Sequence, residues 1–131
     1  MPTIGIKRDL LFEALGQTYT ETEFDELCFE FGLELDEVVT EVNDLGKEEI
    51  VYKIEVAANR YDLLCLEGIA TAFRTYLDLD RLPRYTIKNQ SSDLMEIIVK
   101  PEVAEVRPFV VGCVLRNIKF DIKSYNSFID L

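Results

Sequence analysis

The chain has 131 residues, of which 48% are apolar and 30% charged, enough to bury one core without disulfides or metals. A formal charge of −11 disfavours a free-standing nucleic-acid binder, because phosphate backbones are held chiefly by neutralising Lys and Arg. Histidine is absent, which removes Ser-His and Cys-His nucleophile pairs and His-based zinc sites, and no apolar run is long enough to span a bilayer.

"TIGIK" at 3–7 alternates as a short strand, and "DLLFEALG" follows as a short helix with Asp9 as N-cap and Gly16 as the stop. Thr20 and Glu23 have capping-box spacing, with Tyr19 placed to pack on Phe24 as a hydrophobic staple. A helix over 21–31 is therefore expected, with Phe24, Leu27, Cys28 and Phe31 on its apolar face and Gly32 at its end. Residues 33–39 read as a strand, "NDLGKEE" as an exposed turn bent at Gly46, and residues 50–56 as a second strand. From Glu21 to Glu49 the only base is Lys47; this acidic face serves either to dock a basic partner or, the stronger reading, to keep the domain solvated.

After the seam at Asn59–Asp62 a helix runs to about Leu77, with Leu63, Leu66, Ala70 and Phe73 at helical spacing. "RLPRY" breaks that pattern at Pro83, and a polar stretch leads to "LMEIIVK", read as a strand whose Met95, Ile97 and Val99 share a face. A turn around Pro101–Glu105 precedes "RPFVVGCVLRNIKF", the longest strand candidate. The tail "DIKSYNSFIDL" reads as the first turns of a helix that is cut off. The expected fold class is α+β, a small mixed or antiparallel sheet with about three helices packed on it. Cys28, Cys65 and Cys113 lie far apart in apolar periodic stretches, the pattern of buried thiols in a reducing compartment. With no secretory leader pattern at the start, a cytoplasmic location is expected.

The seam "ANRYDLL" admits two readings. In the first, Asp62 caps the helix, Tyr61 and Leu66 form a staple, Asn59 suits an irregular turn, and Arg60 pairs with Asp62 or Glu67. In the second, Asn59 and Arg60 beside a helix N-terminus hold an anion or a partner. The first is favoured, because Asp62 brings its own negative charge to that terminus and no glycine-rich loop lets a ligand approach the backbone. No P-loop, GxSxG, HExxH, CxxC or EF-hand spacing occurs, so no catalytic, cofactor-binding or metal-ligating residue is assigned.

Three blocks, "MPTIGIKRDLLFEALGQTYTETEFDELCFEFGLELDEV", "VYKIEVAANRYDLLCLEG" and "RPFVVGCVLRNIKF", closely resemble in order the N-terminal domain of phenylalanyl-tRNA synthetase beta subunits of the archaeal and eukaryotic cytosolic type. The resemblance implies a part of a class II ligase of two alpha and two beta subunits that joins phenylalanine to its tRNA using ATP and magnesium. It places the aminoacylation site in the alpha subunit and an editing site in the following beta-subunit domain; none of those residues has a matching position here. It further implies that residues 1–118 form a supporting N-terminal domain and residues 119–131 the truncated start of the editing domain. Two departures stand out. Bacterial relatives carry an OB-fold insertion where only about a dozen residues separate "GLELDEV" from "VYKIEV", and Ala57 and Ala58 stand where members commonly place proline. The isolated chain is expected to be inactive, with ATP, magnesium, tRNA and the alpha subunit engaged by the whole enzyme and no membrane partner. The alternative is a stand-alone acidic protein-interaction module.

Overall fold

The computed structural model describes residues 2–43, 46–82, 84–86 and 95–130. They fall into two compact units, one within residues 1–82 and 121–131 and the other within residues 83–120.

In the first unit, strand β1 (Thr3–Lys7) runs without a turn into helix α1 (Arg8–Leu15). The helix therefore begins one residue before Asp9, and its N-cap is Lys7, with no side-chain cap bond. Asp9 is not the expected cap; it lies in the first turn, where its charge suits the helix dipole, and takes two bonds from Arg8 at 2.9 and 2.7 Å. Gly16 ends α1 at φ 74°, and its N–H returns to the Phe12 carbonyl. Helix α2 (Glu21–Phe31) has the predicted capping box: Thr20 and Glu23 bond reciprocally, and Gly32 closes the helix at φ 94°. Tyr19 meets Phe24 with ring centroids 6.3 Å apart, as the staple predicts.

Strands β2 (Glu34–Val42) and β3 (Glu48–Glu55) form a hairpin, and β3 is central in an antiparallel sheet of order β1-β3-β2. The sheet is the small antiparallel one expected, but β2 extends beyond 39 because its pairing continues to Val42 opposite Glu48. The register slips between Leu35 and Glu37, so Asp36 is an extra residue; that bulge explains the imperfect alternation of "LELDEVV". Gly46 bends the turn at φ 74°, and the Asn43 N–H bonds the Lys47 carbonyl. Opposite the helices, Lys7 pairs with Glu49 at 2.6 Å and Lys53 with Glu41 at 3.2 Å.

Helix α3 (Leu66–Tyr76) completes the core. Phe24 is fully buried, stacked on Tyr52 at 4.9 Å and edge-on to Phe12 at 5.9 Å and Phe73 at 5.8 Å. Leu11, Leu15, Ile54, Leu63 and Ile69 close around this aromatic centre. Each such pair of rings contributes about 0.5–1.5 kcal/mol beyond the area it buries. Helix α4 (Ile122–Asp130) forms where the tail predicted one, started by reciprocal bonds between Asp121 and Ser124. It reaches α1 through Lys123 and Glu13, and α3 through a hydrogen bond from Ser127 to Glu67.

The second unit corrects the sequence reading. Neither 95–100 nor 107–120 is a strand among the described residues; a 3-10 turn at Pro101–Glu105 lies between them, as the turn predicted. Alternation shows that a segment can pleat, whereas a strand also requires a ladder partner, and no sheet pairing among the described residues includes these segments. The Pro83 break and the polar stretch before Leu94 lie outside the described residues. The thiols differ in the same way: Cys28 is buried, Cys65 half-buried and Cys113 exposed, so the expectation of three buried thiols holds only for the first. Burial, then the charge of Asp25, pushes the Cys28 thiol up to about 12.

Candidate functional site

The seam begins where β3 leaves the sheet. The Arg60 N–H bonds the Ala57 carbonyl at 2.9 Å, which makes 57–60 a turn with Asn59 exposed at its third position. Residues Tyr61–Leu63 then form a 3-10 turn, and α3 starts only at Leu66, with Cys65 as an extended N-cap that makes no side-chain bond. Asp62 is thus not the helix cap. Tyr61 is 73% exposed, so the Tyr61–Leu66 staple does not form either.

The reason lies three residues into α3. A side chain on Gly68 would overlap the carbonyl oxygen of Asp62 and stand 2.9 Å from its carbonyl carbon. The backbone of the 3-10 turn therefore lies directly on the first turn of α3, and only glycine leaves room for it. The sequence signal for this arrangement was a glycine inside a helical pattern, "LEGIA".

Of the three singled-out residues, the structure brings Arg60 and Asp62 together and leaves Asn59 beside them. Arg60 donates from Nε to one Asp62 oxygen at 2.9 Å and from Nη2 to the other at 2.8 Å. Those hydrogen bonds, more than the charges, hold the Asp62 carboxyl below its ordinary range and raise the Arg60 guanidinium. The guanidinium also lies 5.9 Å from the ring centroid of Phe31, the last residue of α2, which meets Phe73 at 5.0 Å and Tyr76 at 5.5 Å. Arg60 therefore links the seam to α2 and, through Phe31, to α3. An anion at this place has to compete with Asp62 for the fork.

Sequence reasoning passed over Arg74. Its Nη1 donates to the Leu15 carbonyl and its Nε to Asp80, each at 2.6 Å. Two shallow grooves are also present. The larger, about 460 Å³, is lined by Asp9, Phe12, Glu13, Gly16, Gln17 and Thr18, and the smaller, about 340 Å³, by Asp25, Glu26, Phe29 and Glu30. Their carboxylates repel anionic ligands. Among the described residues, no group of three or more Cys, Asp and Glu side chains is placed to hold a metal ion, and no helix is long and apolar enough to cross a membrane.

The fold has a known counterpart. An N-terminal fragment of the phenylalanyl-tRNA synthetase beta subunit from Pyrococcus horikoshii superposes with a TM-score of 0.77 at 23% identity, covering 98% of this chain and 35% of that one. In sequence, the chain is 50% identical over 142 residues to the phenylalanine–tRNA ligase beta subunit of Mus musculus, covering 100% of this chain and 24% of the relative. It is also 50% identical over 143 residues to the cytoplasmic beta subunit of Arabidopsis thaliana, with the same coverage. The chain thus spans about a quarter of the length of these curated relatives. Similarity across the whole chain favours the synthetase reading over a stand-alone acidic module. Residues 1–79, which hold the sheet, its three helices and the seam, match the family model of the Phe-tRNA synthetase beta subunit B1 domain, and the chain belongs to that family.

Proposed function

We propose that this chain is the N-terminal part of the beta subunit of a phenylalanine–tRNA ligase and that its own role is support. Residues 1–118 act as the N-terminal domain, and residues 119–131 open the editing domain. The assembled enzyme, two alpha and two beta subunits in the cytoplasm, attaches phenylalanine to its tRNA with ATP and magnesium bound outside this chain. The observation that carries the reading is 50% identity to named beta subunits along the entire chain. Mutual engagement of Arg60 and Asp62 supports a structural part for the seam, since an anion would have to displace Asp62 from the Nε–Nη2 edge of the guanidinium.

Charging of tRNA with phenylalanine tests the proposal. The beta subunit carrying these residues, expressed with its alpha subunit, should charge tRNA in the presence of ATP and magnesium, and the 131-residue chain alone should not. Activity in the isolated chain, or none in the assembled pair, would sink the reading.

A further inference from the structure

We propose that the outer face of helix α2 around Phe29 docks a basic segment of a partner protein, with an arginine lying over the Phe29 ring between Asp25, Glu26 and Glu30. The proposal goes beyond the ligase reading and does not depend on it. Phe29 is 83% exposed on a helix whose other aromatic residues are packed: Phe24 stacks on Tyr52, and Phe31 meets Phe73 and Tyr76. No ring contact among the described residues includes Phe29. With Asp25, Glu26 and Glu30 it lines an open groove of about 340 Å³.

The carboxylates of this groove lack a cation of their own. In the larger groove on α1, Asp9 is bonded to Arg8 and Glu13 to Lys123. Among the described residues, no ion pair joins Asp25, Glu26 or Glu30 to a basic group. Glu26 and Glu30 stand four residues apart on the helix, a spacing at which like charges repel. Glu30 also lies in the last turn of α2, which holds no base, so its charge meets the negative end of the dipole. Both conflicts weaken α2, and a cation from outside the chain relieves both.

Charge complementarity therefore selects a cationic occupant, and the ring selects arginine. A guanidinium is planar, stacks on an aromatic face and forks to carboxylates beside it, whereas a lysine ammonium is a strongly hydrated point charge. A second copy is disfavoured because each chain carries a formal charge of −11, and two such copies repel one another.

Hexa-arginine and hexa-lysine peptides, titrated calorimetrically into the chain at one ionic strength, test the proposal. The wild type should bind hexa-arginine about two- to fivefold more tightly than hexa-lysine, the range of an exposed cation–π contact, and added salt should weaken both. Phe29→Leu keeps the net charge and an apolar side chain but removes the ring. It should bring the two affinities close together while the melting temperature stays that of the wild type. The double variant Glu26→Gln, Glu30→Gln should weaken hexa-arginine binding more than the charge-matched double variant Asp9→Asn, Glu13→Gln in the other groove. An undiminished preference in Phe29→Leu, or equal losses in the two double variants, overturns the proposal and assigns the binding to overall charge. Absent binding of hexa-arginine also overturns it, and so does self-association of the chain that Phe29→Leu abolishes, which would make a second copy the occupant.

Discussion

Arg74, near the end of α3, donates to the carbonyl oxygen of Leu15, the last residue of α1, across 2.6 Å. A helix leaves its final carbonyls without internal partners, and a cation near them also meets the negative end of the dipole. Arg74→Ala should lower the melting temperature of the chain. Asp80→Asn should lower it less, because the Leu15 bond survives in that variant. Thermal unfolding of the two variants by circular dichroism decides; equal losses would mean that the Asp80 pair carries the effect.

Gly68→Ala should be destabilising, against the usual sign for a helix interior. Replacing Gly by Ala in an exposed helix gains about 1 kcal/mol, but here the added carbon overlaps the Asp62 carbonyl, and overpacking of this kind costs about 1–3 kcal/mol. A fall in melting temperature of several degrees is expected. A rise would show that the 3-10 turn moves away at little cost.

Arg60→Ala should cost about 1 kcal/mol, since both partners of the ion pair are substantially exposed and such pairs are screened by solvent. Contact with the Phe31 ring is included in that figure. Arg60→Lys should recover only part of the loss, because an ammonium cannot reproduce the two-pronged bond. Unchanged melting together with weaker tRNA binding or weaker association with the alpha subunit would refute the structural role of the seam.

The capping box of α2 should show in the acid dependence of stability. Bonds from the Thr20 N–H and then its hydroxyl hold the Glu23 carboxyl below its ordinary value of 4.5. A carboxyl whose folded pKa is lowered contributes stability above its ordinary pKa and loses it as pH falls through the folded value. Wild type should therefore be more stable than Glu23→Gln at pH 7, with the gap narrowing below pH 4.5. Relief of the overall negative charge acts in the opposite direction in both proteins and largely cancels in the difference. A gap independent of pH would assign the stabilisation to packing.

Elements whose signals are local were legible in the sequence. The box at Thr20 and Glu23, the stops at Gly16 and Gly32 and the bend at Gly46 each depend on neighbours within a few residues, and all five positions behave as read. The pairing of Arg60 with Asp62 was legible for the same reason, as two residues of opposite charge in one turn. Asp62 as helix cap was a local reading that failed, because a tertiary contact outweighed it: its carbonyl packs on Gly68, and α3 starts three residues after the 3-10 turn ends.

By itself, the sequence determined an α+β domain, the helices of its first unit with the capping box of α2, the strands at its start and centre, and the absence of histidine chemistry, since each follows from residue type or short-range periodicity. Only the tertiary structure decided that β3 is the central strand, that Arg74 closes α1 from 59 residues away, and that 109–115 has no ladder partner within the described chain. Those outcomes depend on which distant groups meet. A hydrogen bond or a sheet pairing needs two partners in space, whereas periodicity reports the preference of only one.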